Sequence, residues 1–121
     1  MTLDSRNKGA GAEREVVALL RDRGYQARRT SDGRVQRGLG DVAGLPRHHL
    51  EVKRCERVSL PAWIAQAESD ADPIDVPAVI WRSSRMPWRI DLALDDYLDL
   101  LERSQNTTNE RPNSGEKANN T

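Results

Sequence analysis

Apolar residues recur at helical spacing near the start of the chain. Ala12, Val16, Leu19 and Leu20 lie three and four positions apart, which predicts a helix from about Gly9 to Arg23. Gly24 stands where a helix-ending glycine is expected, and residues 1–8 read as a short polar arm. Tyr25 to Arg29 reads as a short strand. Thr30 to Gly40 holds three glycines, two arginines and only two large apolar residues, and reads as a loop. Asp41-Val-Ala43 and Leu50-Glu-Val-Lys53 read as two strands joined around Gly44 to His48, where Gly44 and Pro46 supply turn chemistry.

The second half opens on a helix start: Ser59 suits the cap and Pro61 the first turn, and Trp63, Ile64 and Ala67 form an apolar edge ending near Asp72-Pro73. Pro77-Ala-Val-Ile-Trp81 is a near-continuous apolar run, as in a strand buried on both faces. Ser83 to Pro87 reads as a turn, and Trp88-Arg-Ile-Asp-Leu92 alternates as a half-buried strand does. Asp95 then caps a final amphipathic helix bearing Tyr97, Leu98, Leu100 and Leu101. After Arg103 no large aliphatic residue remains, so residues 104–121 are expected to form a disordered polar tail. Helices and strands in this order predict an α/β fold: a mixed central β-sheet flanked by α-helices, in one domain over residues 9–103.

Composition narrows the class. The 121 residues are 36% hydrophobic and 31% charged, enough for one modest core. No apolar run approaches the roughly 18 to 20 residues that span a bilayer, so no membrane span is expected. Met1 to Lys8 lacks the apolar stretch of a secretory signal. The single cysteine, Cys55, cannot form an internal disulfide, and no Cys/His cluster offers structural zinc. A cytoplasmic protein is expected, either of a host or encoded by a phage and acting in the host cytoplasm.

The formal net charge of zero hides a division. Residues 1–57 carry 13 Lys and Arg against 8 Asp and Glu, while residues 58–121 carry 6 against 11. Between Arg21 and Arg37 six arginines face only Asp22 and Asp32. Such a half can bind phosphates, or it can be an ordinary solvated surface.

The candidate chemistry lies at Gly40-Asp41 and Glu51-Val52-Lys53. Alternation along a strand sends Glu51 and Lys53 to one face and Val52 to the other. Asp41, on the neighbouring strand, can reach the face of Glu51. Two close carboxylates repel unless a cation lies between them, and hard oxygen ligands suit Mg²⁺, with the Val52 carbonyl as a further donor. Lys53 could hold an attacking water or stabilise charge on a phosphate. The plain alternative is a half-exposed strand with a Glu–Lys pair worth under about 1 kcal/mol. Glu13 shares the helix face of Val17 and Leu20; it is either a helix-start acid favoured by the dipole or a group turned towards a metal.

Together these residues resemble the PD-(D/E)xK nuclease superfamily, and within it the archaeal-type Holliday junction resolvases. The likeness rests on Lys8-Gly9-x-x-x-Glu13-Arg14-Glu15, Gly24-Tyr25, Arg29 with Ser31, Gly40-Asp41 and Glu51-Val52-Lys53, with a weak echo at Trp88-Arg89. It covers about residues 7–57 and departs at Gly40, which replaces the proline of the superfamily's name, and in the acidic second half.

The resemblance implies a restriction-endonuclease-like fold and a Mg²⁺-dependent endonuclease, with Mn²⁺ able to substitute, that cuts four-way DNA junctions as a homodimer. By position, Glu13, Asp41 and Glu51 would hold the metal and Lys53 would be the catalytic lysine. Arg14 would contact the scissile phosphate. Arg29, Ser31, Arg34 and Arg37 would lie in a DNA-contacting segment, and Lys8 would also bind DNA. Other nucleases of the superfamily, cutting flaps, duplex or restriction-type sites, fit the same residues. So does a non-catalytic DNA-binding module, since fold does not fix function.

Lesser features remain open. Gln66 is a possible accessory residue near the metal or a solvent-facing helix glutamine. His48 and His49, adjacent in an expected turn, read as surface residues rather than ligands. Trp63, Trp81 and Trp88 read as core or dimer contacts. Cys55 has no visible base partner.

Overall fold

The computed structural model describes residues 3–32 and 40–110. The first helix, α1, spans Leu3–Asp22. It begins well before Gly9, so residues 3–8 of the expected arm are helical. Glycine is a poor helix former, but Gly9 and Gly11 sit in open space and no proline interrupts the segment. Ala12, Val16 and Val17 are buried and Leu20 packs beside them, whereas Leu19 faces outward. The helix closes as expected. Tyr25 N–H bonds to Leu20 O at 3.1 Å, Gly24 N–H bonds to Arg21 O at 3.0 Å, and Gly24 takes φ +95°. That is the paired bonding of a Schellman stop, which favours glycine.

Five strands form one sheet in the order β1 to β5: β1 Arg28–Arg29, β2 Val42–Ala43, β3 His48–Arg54, β4 Val76–Arg82 and β5 Arg89–Asp91. β1 is much shorter than the Tyr25–Arg29 strand expected, and a single 3-10 turn, Thr30–Asp32, follows it. β1–β2, β2–β3 and β4–β5 pair antiparallel, and β3–β4 pair parallel. The parallel pair is bridged by α2, Leu60–Asp70, as a strand crossover requires. Pro61 lies in the first turn of α2, but Ser59 makes no side-chain capping bond.

β3 begins two residues earlier than expected. His48 and His49 belong to it because they align with Val76 and Pro77 of β4. The turn before it is tightened by Arg47 at φ 66°.

Strand alternation divides the core between the two sheet faces. Leu50, Val52, Ala78 and Ile80 pack with α1, together with Val42 and Ala27. Val79 packs with Trp63 and Ala67 of α2, with Trp81 beside them. The rings of Trp63 and Trp81 stand 6.3 Å apart and tilted by 53°, which places both in the core. β4 is thus covered on both sides, as its apolar run predicts.

The last helix, α3, spans Leu94–Glu110. It starts one residue before Asp95 and continues past Arg103, so residues 104–110 of the expected tail are helical. Residues 111–121 lie outside those described, as do residues 1, 2 and 33–39. Among the described residues no helix is long and apolar enough to cross a membrane.

Candidate active site

The site is built where β2 runs out against β3. Val42 pairs with Leu50, and a regular ladder would next set Asp41 opposite Glu51. Instead the chain turns. Asp41 N–H bonds to Leu50 O at 2.7 Å, and Asp41 O accepts the Thr30 N–H at 3.1 Å. Gly40 O accepts the Thr30 hydroxyl at 2.7 Å. Gly40 makes this possible with φ +75°, because a Cβ there would overlap the Leu50 backbone. Proline, fixed near φ −65°, cannot take that conformation, which accounts for the departure from the superfamily's lettering.

Released from the ladder, the Asp41 carboxylate turns onto β3 and its Oδ2 accepts the Val52 N–H at 2.9 Å. In an extended strand the N–H and C=O of one residue point to the same edge. The Val52 carbonyl therefore lies on the edge that Asp41 occupies.

Glu51 projects to the opposite sheet face from Val52, with Val79 as its β4 neighbour. Its side chain is 7% exposed, and its Oε2 lies 2.7 Å from His49 Nε2, whose own side chain is 2% exposed. Burial raises the Glu51 pKa above its ordinary 4.5, and the Asp41 charge raises it further; the His49 bond and the His49 and Lys53 charges pull it back. Asp41 is thus close enough to Glu51 for its charge to oppose ionisation there.

Lys53 follows on the face of Glu51, and its Nζ donates to Gln66 Oε1 of α2 at 3.3 Å. Gln66 is exposed, so this bond holds the ammonium without removing it from water.

Glu13 is part-buried on α1, and its Oε1 receives Arg29 Nε from β1 at 2.9 Å. Arg29 aligns with Val42, so this ion pair joins α1 to the sheet edge beside Asp41. Glu15 makes a second tie. It accepts Arg54 Nη1 at 2.7 Å and Trp88 Nε1 at 3.3 Å, while the Arg82 guanidinium stacks 5.4 Å from the Trp88 ring.

Arg14 is exposed, and Ser31 is exposed on the 3-10 turn. Lys8 lies in the α1 backbone with its side chain outside those described, and Arg34 and Arg37 fall outside the described residues. Cys55 is a free, part-buried thiol against the α2 cluster.

His49 is the residue that the sequence reading set aside. An expected surface position in a turn is a buried strand position bonded to Glu51. The signal was the period of two in His49-x-Glu51-x-Lys53, masked by the turn residues before it.

Asp41 at the edge of β3 and Glu51 on its face, with the Val52 carbonyl on the Asp41 side, are oxygen donors that suit a hard cation such as Mg²⁺. That ion takes one or two protein carboxylates and keeps several waters. Among the described residues no group of three or more His, Cys, Asp and Glu is gathered as a metal cluster. The fit is therefore to a two-carboxylate site.

Residues 4–118 match a family model described as "Phage putative PDDEXK endonuclease". No curated protein and no solved structure matches the chain.

Proposed function

Because the chain belongs to this family of phage PDDEXK endonucleases, we propose that it is a divalent-metal-dependent DNA endonuclease that hydrolyses phosphodiester bonds. Asp41 and Glu51 would hold the ion through their carboxylates and Val52 through its carbonyl. The observation that carries this reading is the placement of the Asp41 carboxylate on β3 at Val52, next to Glu51; burial first, and then repulsion from Asp41, raise the Glu51 pKa. A cation would relieve that repulsion.

An ion bound there lowers the pKa of its water and polarises a phosphoryl oxygen. The remaining work belongs to the chain. Lys53 stands two residues beyond Glu51 on the same face, with Gln66 steadying its ammonium. It is suited to stabilise the charge that builds on the phosphate as the bond to the leaving oxygen breaks. Asp41 is fixed by the Val52 amide, so its second oxygen keeps a constant direction. Arg14 and Ser31 are exposed, and with Lys8, Arg29, Arg34 and Arg37 they belong to the basic half of the chain, which would track the DNA backbone.

Within this activity the proposed substrate is branched DNA, with the four-way junction first, from the resemblance of residues 7–57 to junction resolvases. A homodimer would bring two such sites to two strands. The family's phage association fits action in a host cytoplasm. Cleavage of a synthetic four-way junction with Mg²⁺ and with Mn²⁺, beside flap and linear duplex controls, tests the reading. Asp41→Asn and Glu51→Gln should each abolish cutting and leave DNA binding. Cutting that survives both substitutions would reject the site. Faster cutting of flap or duplex would keep the nuclease and move its substrate.

One observation favours a second reading, a DNA-binding module without catalysis. Glu13 is engaged by Arg29, so the third acid of the resemblance is turned to an ion pair. Tight junction binding with no cutting under either metal would select that reading.

A further inference from the structure

The His49–Glu51 contact has no part in the chemistry described so far, and it is the most buried polar contact described. His49 is 2% exposed and Glu51 5%. Buried polar side chains are almost always hydrogen-bonded, and these two bond to each other. A carboxylate that is ionised to hold a cation can only accept, so in that state the 2.7 Å contact is donated by His49 Nε2. One oxygen of Glu51 is then committed to the imidazole, which leaves Oε1 for anything else.

We propose that His49 is a positioning residue that restricts Glu51 to one-oxygen coordination and so makes the site prefer Mg²⁺ or Mn²⁺ to Ca²⁺. The inference rests on the two-carboxylate site proposed above. Its physical basis is the difference between the ions. Mg²⁺ demands compact octahedral coordination by single oxygens. Ca²⁺ takes six to eight oxygens and readily uses both oxygens of one carboxylate. A carboxylate with one oxygen tied by a hydrogen bond serves the first ion and handicaps the second. Groups that orient ligands in this way commonly change metal affinity by about 10- to 100-fold when removed.

The position of His49 supports an orienting role. It lies two residues before Glu51 on the same strand face, beside Pro77 of β4, so the rigid β3–β4 ladder fixes both ends of the bond. A surface histidine would lose too much side-chain freedom to hold one geometry; this one is locked by burial.

The test is binding of Mn²⁺ to the full-length protein without DNA, followed by its displacement with Ca²⁺. The wild type should bind Mn²⁺, and Ca²⁺ should displace it poorly. His49→Ala should weaken Mn²⁺ binding about tenfold and shift the Ca²⁺-to-Mn²⁺ ratio of dissociation constants towards Ca²⁺ by about tenfold or more. His49→Gln, whose amide can still donate to Oε2, should keep the wild-type ratio. An unchanged ratio in His49→Ala would overturn the inference, while loss of Mn²⁺ binding in Glu51→Gln would show the underlying site intact. No Mn²⁺ binding by the wild type would instead reject that site, and this inference with it. If thermal melting shows His49→Ala unfolded, the wild type decides through its imidazole nitrogen spectrum. A proton on Nε2 before and after Mg²⁺ saturation supports the inference, and a proton on Nδ1 overturns it.

Discussion

Asp41 Oδ2 receives the Val52 N–H at 2.9 Å, in the place where a continued β2 ladder would offer a backbone carbonyl. The carbonyl that would have served belongs to Gly40, and it is taken by the Thr30 hydroxyl. A side chain thus completes the sheet at the point where the sheet ends. One oxygen of Asp41 is structural, and the other is left for chemistry.

This double duty separates two substitutions. Asp41→Asn keeps an oxygen acceptor for Val52, so its stability should stay within about 0.5 kcal/mol of wild type. Asp41→Ala strands the Val52 amide and should cost about 1–3 kcal/mol. Both should lose Mn²⁺ binding and DNA cleavage. Denaturant midpoints together with Mn²⁺ titration distinguish the structural role from the chemical one.

Gly40→Ala tests the turn that delivers Asp41. At φ +75° alanine is strained, and its Cβ would meet the Leu50 backbone. A loss of more than about 1 kcal/mol is expected. Because Asp41 is the next residue, metal binding should fall with stability, unlike Asp41→Asn, where only binding falls.

Glu51 sets a pH dependence whose sign is opposite to that of a salt-bridged acid. Its folded pKa is raised above 4.5 by burial and by Asp41, so the folded state holds its proton more tightly than the unfolded one. Stability linked to this group therefore falls as pH rises from the ordinary carboxylate range through the raised value. Glu51→Gln should be more stable than wild type at neutral pH without metal, and the difference should close as the pH is lowered to about 4. Denaturant unfolding from pH 4 to 8 reads this directly; a difference that widens towards acid would contradict it.

Lys53→Ala should leave the fold and Mn²⁺ binding near wild type, since the ammonium is only held by exposed Gln66 at 3.3 Å. Its effect belongs to turnover, where loss of one charge-stabilising group costs about 10²- to 10³-fold. Gln66→Ala should reproduce only a small part of that loss.

What the sequence disclosed was mostly local. The Gly24 stop, the Pro61 helix start and the two-sided burial of Ala78–Ile80 follow from single residues or from a short period. So did the approach of Asp41 to the Glu51–Lys53 strand, because a hairpin brings neighbours in sequence together, although Asp41 lies outside β2 and reaches Val52 through its carboxylate. The rest depended on distant contacts. His49 joins β3 only because β4, beyond a whole helix, extends the ladder back to Val76. β1 shrinks to two residues because its partner β2 offers only two. α3 outruns its apolar stripe because no glycine or proline stands between Trp88 and Arg111 to stop it.

The Glu13–Arg29 pair was equally hidden, being a contact across 16 residues between a helix and a strand. Its side chains are 18% and 14% exposed, so breaking it leaves a poorly hydrated charge on whichever partner remains. Arg29→Met and Glu13→Gln should each cost about 1–3 kcal/mol. The double substitution should cost less than the sum, with a coupling of about 0.5–3 kcal/mol. Metal binding adds a sharper outcome. If Arg29 holds Glu13 away from the ion, Arg29→Met should tighten Mn²⁺ binding and Glu13→Gln should leave it unchanged in the wild-type background. Glu13→Gln in the Arg29→Met background should then abolish the gain. A weaker Mn²⁺ site in Arg29→Met would instead make this arginine a support for the sheet edge on which Asp41 stands.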